Sequence, residues 1–151
     1  MPDAAFKRPE SVLVLVATHA GEVLLIERRF PVGFWQSVTG SLEWGENAPS
    51  AAHRELQEET GLSATAIEDL QIGARFHIRP EWRRRFAPGV RENREHWFRL
   101  WLEAPVPVRL SREHVRAQWL PVREAVKRVA SWSNRVALQR YIQQPLHQKP
   151  Y

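Results

Sequence analysis

A chain of 151 residues without cysteine is long enough for one domain with a sizeable core, and it excludes disulfides and thiol catalysis. The formal charge of +5 attracts polyanions, either a phosphate-rich small molecule or a nucleic acid, and its sign does not choose between them. The longest apolar run, Val12 to Ala17, is too short to cross a bilayer, and residues 1–10 lack the apolar stretch of a signal peptide. The expectation is a soluble, cytoplasmic, single domain over residues 1–151 that engages no membrane.

In chain order, Val12 to Ala17 reads as a strand covered on both faces. His19-Ala20-Gly21-Glu22 offers a turn, and Val23 to Glu27 the antiparallel return. Phe34 to Val38 follows as a third strand or an extended loop. A helix from about Ala48 to Thr60 is bounded by Asn47 as N-cap, Pro49 in the first turn and Gly61 as terminator. Ile72 to Ile78 and His96 to Glu103 read as strands, the second rich in aromatics. Between them, Arg79 to Asn93 carries Pro80 and Pro88 and is long enough for a functional loop. Its basic patch, Arg83-Arg84-Arg85, reads as a hydrated loop in preference to an RNA contact. Val106 to Leu110 is expected to form another strand and Gln118 to Leu120 a short one. Pro121 opens a helix through about Val129, and a last helix runs from near Ser133 to about Gln143, with Pro145 beyond it. Such a mixture predicts an α/β or α+β sandwich.

The chemistry concentrates in the helix from Ala48 to Thr60. Glu55, Glu58 and Glu59 stand at i, i+3 and i+4, so their carboxylates share one face, with Ala48, Ala51 and Ala52 on the same stripe. Three like charges so close raise one another's pKa unless a cation compensates. Oxygen ligands, with few His and no Cys, point to Mg²⁺ or Mn²⁺ and away from zinc. Arg54, next to Glu55, is placed to hold a carboxylate by a bidentate contact, and Glu46 to pair with Arg54 across the loop. The bland alternative for such a run is a solvated, Glu-rich helix face.

The pattern is more specific than its carboxylates. With U for a bulky aliphatic, G-x5-E-x7-R-E-U-x-E-E-x-G-U is matched at every fixed position by Gly40, Glu46, Arg54, Glu55, Leu56, Glu58, Glu59, Gly61 and Leu62. This segment resembles the Nudix box without a departure, and the chain is identified as a member of the Nudix hydrolase family. The resemblance implies an αβα sandwich, with a mixed sheet between helices and the box helix at the catalytic edge. It also implies Mg²⁺-dependent hydrolysis of a phosphoanhydride, with Glu55 and Glu59 as inner ligands. Glu58 is then a third ligand or one bound through water, and the Gly40 carbonyl is a further ligand. Nudix enzymes often recruit one more carboxylate, as ligand or base. Of Glu92, Glu95, Glu103 and Glu113, the choice falls on Glu113, in a polar loop placed to swing toward the box. Glu58, Glu59, Arg54 and Glu113 form the expected catalytic set.

Further stretches narrow the resemblance. KRP at 7–9, FWQSVTGS at 34–41, RFAPGV at 85–90, HWF at 96–98 and SWSNR at 131–135 are similar to a bacterial Nudix subclass. Its members release pyrophosphate from dihydroneopterin triphosphate and leave the monophosphate for folate synthesis. That implies Lys7, Arg28, Thr39 and Ser131 as substrate contacts. Read as residues alone, Lys7, Arg28 or Arg29, and Arg135 are candidate phosphate clamps. Trp35, Phe76 and Trp132 are candidates to stack on a flat ring, although aromatics in such elements more often serve the core. The rival enzyme is a house-cleaning hydrolase of dATP or oxidised dGTP. A non-catalytic RNA-binding Nudix module is the rival of another class, and the intact box argues against it. The partner is expected to be a small-molecule triphosphate, and the protein a monomer or homodimer.

Overall fold

The computed structural model describes residues 5–64 and 66–143. Strand β1 (Glu10–Thr18) turns through Gly21, whose φ of 87° suits glycine, into β2 (Glu22–Arg28). Alternation along β1 sends Leu13, Leu15 and Ala17 into one core and Val12, Val14 and Val16 into another. Both cores are capped by helices, which explains why this run is apolar at every position. Each Val and Leu among them contributes about 1.5–3 kcal/mol on burial.

The two strands share only the pair Ala17↔Val23 and then fan apart. On the β1 arm, β4 (Val38–Ser41) pairs antiparallel with Ser11–Val14, and β6 (Glu92–Leu102) runs parallel from Glu10↔Arg94 to Thr18↔Leu102. Antiparallel β5 (Glu68–His77) closes that edge. On the β2 arm lie β3 (Trp35–Gln36) and β7 (His114–Pro121), both antiparallel to β2. One face of this mixed seven-stranded sheet carries α1 (Ala48–Thr60), through Ala51, Ala52 and Leu56. The other face carries α2 (Val122–Arg128) and α3 (Trp132–Tyr141). The sandwich expected from the sequence is the one observed.

Helix α1 has the anticipated bounds: Asn47 Oδ1 accepts from Ser50 N at 2.9 Å, and Gly61 ends it at φ 75°. Other expectations need correction. Val106 to Leu110 forms no strand. It lies as a strap on which Val108 and Leu110 pack toward the α1 core, held by Arg109 N to Thr60 O at 2.8 Å and Trp119 Nε1 to Val106 O at 3.0 Å. Strand β5 begins earlier than Ile72, because an irregularity between Asp69 and Gly73, with Gln71 at φ 55°, shifts the alternation out of phase. Strand β7 is far longer than Gln118 to Leu120, since β2 supplies a ladder along its length. Residues Pro80–Arg85, expected as loop, wind into a 3-10 turn. Helix α3 ends at Tyr141, short of Gln143, and the stop at Pro145 lies outside the described residues. Among the described residues no helix is long and apolar enough to cross a membrane.

Candidate active site

The site begins where β4 meets α1. Strand pairing of Gly40 with Val12 turns position 40 toward α1, where a Cβ would overlap the Glu55 carboxylate. Only glycine permits this approach. Glu55 and Glu59, one turn apart, are both buried, at 8% and 5% exposure. Burial raises the pKa of each. For Glu59 the charge of Glu55 adds to the rise, which the Thr39 N–H, donating at 3.3 Å, only partly opposes. For Glu55 the opposing influence is Arg54.

Arg54 organises the rest. Its guanidinium grips Glu46 with both arms, Nε to Oε2 at 2.8 Å and Nη2 to Oε1 at 2.7 Å. It also donates to Glu55 Oε1 at 2.8 Å, to the Ser41 carbonyl at 3.1 Å and to Glu58 Oε2 at 3.3 Å. The bidentate partner is thus Glu46, and Glu55 receives a single bond. Glu46, whose Oε1 also accepts from Glu43 N at 2.9 Å, is held below the ordinary carboxylate pKa by Arg54. Glu58 is more than half exposed and leans on Arg54. Among the described residues no three acidic groups converge into a finished cage; Glu55 and Glu59 are the assembled pair. All-oxygen donors, mutual repulsion between two buried carboxyls and the glycine cradle fit a hard divalent cation.

A cavity of about 1260 Å³ opens from this pair between the separated arms of β1 and β2. Lys7, Arg28 and Arg85 form a basic wall. Burial, then the charge of Arg85, lowers the Lys7 pKa, and burial lowers that of Arg28. Trp82 fixes that wall, since the guanidinium groups of Arg28 and Arg79 lie 5.1 and 5.4 Å from its ring centre. Glu113 lines the cavity and lies close enough to Lys7, Arg28 and Glu59 to influence their protonation. Its loop is tied down by the Arg29 N–H, which donates to the Glu113 carbonyl at 2.8 Å.

Of the residues singled out from sequence, Lys7, Arg28, Arg29, Thr39, Gly40, Arg54, Glu55, Glu58, Glu59, Phe76, Glu113, Ser131 and Trp132 all line this one cavity. Arg135 and Trp35 do not: Arg135 lies further along α3, and Trp35 is in the core under Arg128. Thr39 Oγ1 donates to the Val12 carbonyl at 2.8 Å, and the Ser131 side chain caps α3 by accepting from Asn134 N at 3.1 Å. Sequence reasoning passed over Asn93, Arg79 and Trp82, and weighed Glu95 only as a spare carboxylate. The signal for two of these was present in Asn93, Glu95 and Trp97, which alternate onto one buried face of β6.

The fold, an intact box and a cavity bounded by carboxylates and bases define a phosphoanhydride hydrolase of the Nudix class. The NUDIX domain family profile matches residues 7–141, and the chain belongs to that family. Nudix hydrolases use a divalent metal. The chain is 41% identical over 147 residues to the dihydroneopterin triphosphate diphosphatase of Escherichia coli K12, covering 94% of this chain and 97% of that protein. The Haemophilus influenzae protein of the same name is 36% identical over 143 residues, covering 91% and 89%. The solved structure of the E. coli dihydroneopterin triphosphate pyrophosphohydrolase superposes with a TM-score of 0.87 at 39% identity, covering 91% of this chain and 97% of that one.

Proposed function

We propose that this protein is a Mg²⁺-dependent pyrophosphohydrolase that converts dihydroneopterin triphosphate to dihydroneopterin monophosphate and pyrophosphate. The observation that carries this reading is the single cavity joining the buried Glu55 and Glu59 to the basic wall and to a pocket lined by Phe76 and Trp132. A metal-bound phosphate, the remainder of a polyanionic triphosphate and a flat ring need those three surroundings. Identity of 41% to enzymes named for this substrate supports the same assignment.

Glu55 and Glu59, with the Gly40 carbonyl, would hold the cation, Glu113 would complete the set once turned toward the pair, and Glu58 would share it through water. When bound, the cation supplies Lewis acidity at the phosphoryl oxygens. Lys7, Arg28 and Thr39 hold the triphosphate, the first two neutralising charge that develops on the leaving pyrophosphate. Ser131 and Phe76 contact the rest of the substrate. Arg135, which does not line the cavity, is given no role in this reading. Water oxygen forms a bond to phosphorus as the bridging P–O bond between the α and β positions breaks. Its proton passes to a carboxylate, a role this reading gives to Glu58 or Glu113. Arg54 positions Glu55 and Glu58 through the bonds described above. A cytoplasmic, single-domain enzyme belongs to this reading and agrees with the absence of cysteine.

The test is product analysis from dihydroneopterin triphosphate with Mg²⁺ in H₂¹⁸O. Pyrophosphate and the monophosphate are expected, with label in one of them. Release of orthophosphate alone, or greater kcat/KM on dATP in a parallel panel, would overturn the assignment.

A further inference from the structure

The mechanism above leaves one buried ionisable group of the cavity unused. Glu95 lies on β6, 5% exposed, on the sheet face opposite α1. Strand register places Ser11 of β1 and Ala74 of β5 beside it, with Asn93 and Phe76 paired one step along the same face. Its hydrogen-bond partners are neutral: Trp97 Nε1 donates to Oε1 at 2.9 Å, and the Ser133 hydroxyl contributes a second bond. A carboxylate offers about four acceptor sites, so two donors leave accepting capacity on the cavity side. Burial disfavours its ionised form and raises its pKa.

Asn93 adds to the same surface. Its Nδ2 donates to Ser11 Oγ at 2.7 Å, which leaves its carbonyl as an acceptor. Phe76 and the half-exposed Trp132 bring ring faces to the same cavity. Buried acceptors next to aromatic faces match a planar heterocycle that carries adjacent N–H donors on one edge.

Building on the substrate reading above, we propose that Glu95, oriented by Trp97 and Ser133, is the specificity-determining residue, accepting two hydrogen bonds from the amino-oxo edge of a pterin or guanine ring. In that edge a ring N–H and an exocyclic amine point the same way, with the fork spacing that a carboxylate accepts bidentately. Adenine instead sets an acceptor beside its amine there, facing lone pairs with a lone pair. Trp97 and Ser133 are positioning residues. Bonds from the ligand favour the ionised carboxylate that burial opposes, so discrimination and affinity arise together.

The experiment compares kcat and KM of the parent, Glu95→Gln and Ser133→Ala on dihydroneopterin triphosphate, dGTP and dATP. The ratio of kcat/KM for the two amino-oxo substrates over dATP should fall about 30-fold or more in Glu95→Gln, chiefly through KM, since sites built to bond polar groups discriminate strongly. Ser133→Ala should lower the same ratio by about 3-fold or more, as one orienting bond is lost. Equal losses on all three substrates would reveal a purely structural carboxyl and overturn the inference. Should Glu95→Gln fail to fold, calorimetry of the parent with dGMP and dAMP decides, and equal affinities refute it. A parent that turns over dGTP well but ignores the pterin would sink the substrate assignment while leaving the edge reading intact. A parent that prefers dATP to both would remove the edge reading as well.

Discussion

Two carboxyl sites are buried on opposite faces of the same sheet, and their neighbours make them different instruments. At the α1 face, Glu55 and Glu59 are pressed together beside Arg54, so removing water sets like charge against like charge. At the α3 face, Glu95 stands among an indole N–H and a hydroxyl, with polar and aromatic neighbours. Repulsion in the first site calls for a compact cation. Unfilled acceptor capacity in the second calls for neutral donors held in a plane. Burial raises the pKa at both, so the shift does not identify a site; the partners do.

The first way to break this comparison is at the charged end. Glu59→Gln removes one of two buried charges while keeping shape, and should lower Mg²⁺-dependent turnover about 10³-fold with the fold intact by circular dichroism. Glu58→Gln, at an exposed position, should cost less, and the order of the two is read from pyrophosphate release at saturating substrate. Arg54→Ala should lower turnover about 10²-fold through misplacement of Glu55 and Glu58. It should also lower stability by about 2 kcal/mol in denaturant melts, because Glu46 and Ser41 lose their donor. Gly40→Ala, which drives a methyl into the Glu55 carboxylate, should cost about 1–3 kcal/mol and much of the activity.

Titration sharpens the contrast further. Glu55 and Glu59 have folded pKa values above the 4.5 of an ordinary glutamate, so the native state holds more protons than the unfolded chain above that pH. Their contribution to stability is complete below pH 4.5 and is lost as pH rises through the raised values. Mg²⁺ should therefore raise Tm more at pH 8 than at pH 5, and Glu59→Gln should flatten that dependence. Equal Mg²⁺ shifts at both pH values would count against the pair as the binding site. His114 has the opposite sign and the smallest effect. Buried between Gln36 and Ser111, its pKa is lowered from 6.5 to about 4, by burial first and then by Arg28. Its contribution is complete above pH 6.5 and is lost as pH falls toward 4, and His114→Gln should lose less stability across that window.

Much of this was written in local chemistry. Asn47, Pro49 and Gly61 delimit α1 without help from the rest of the chain, because caps act on neighbouring backbone groups. The unbroken apolar run of β1 announced burial on both faces, and the box spacing announced which glutamates share a helix side. Elements whose form depends on a distant partner were misread. Strand β7 needs the ladder of β2, the strap from Val106 to Leu110 is shaped by α1 and Trp119, and the offset in β5 hides its alternation.

The sequence by itself determined the box helix, the family and the paired buried strand, since these rest on periodicity, capping and fixed spacing along one segment. Only tertiary structure decided that Glu46 takes both arms of Arg54, that Arg135 stands off the cavity, and that Glu95 and Asn93 line it. Those facts depend on how β1 and β2 part after Ala17↔Val23 and on which strands fill each arm, a geometry set by packing among residues far apart in the chain.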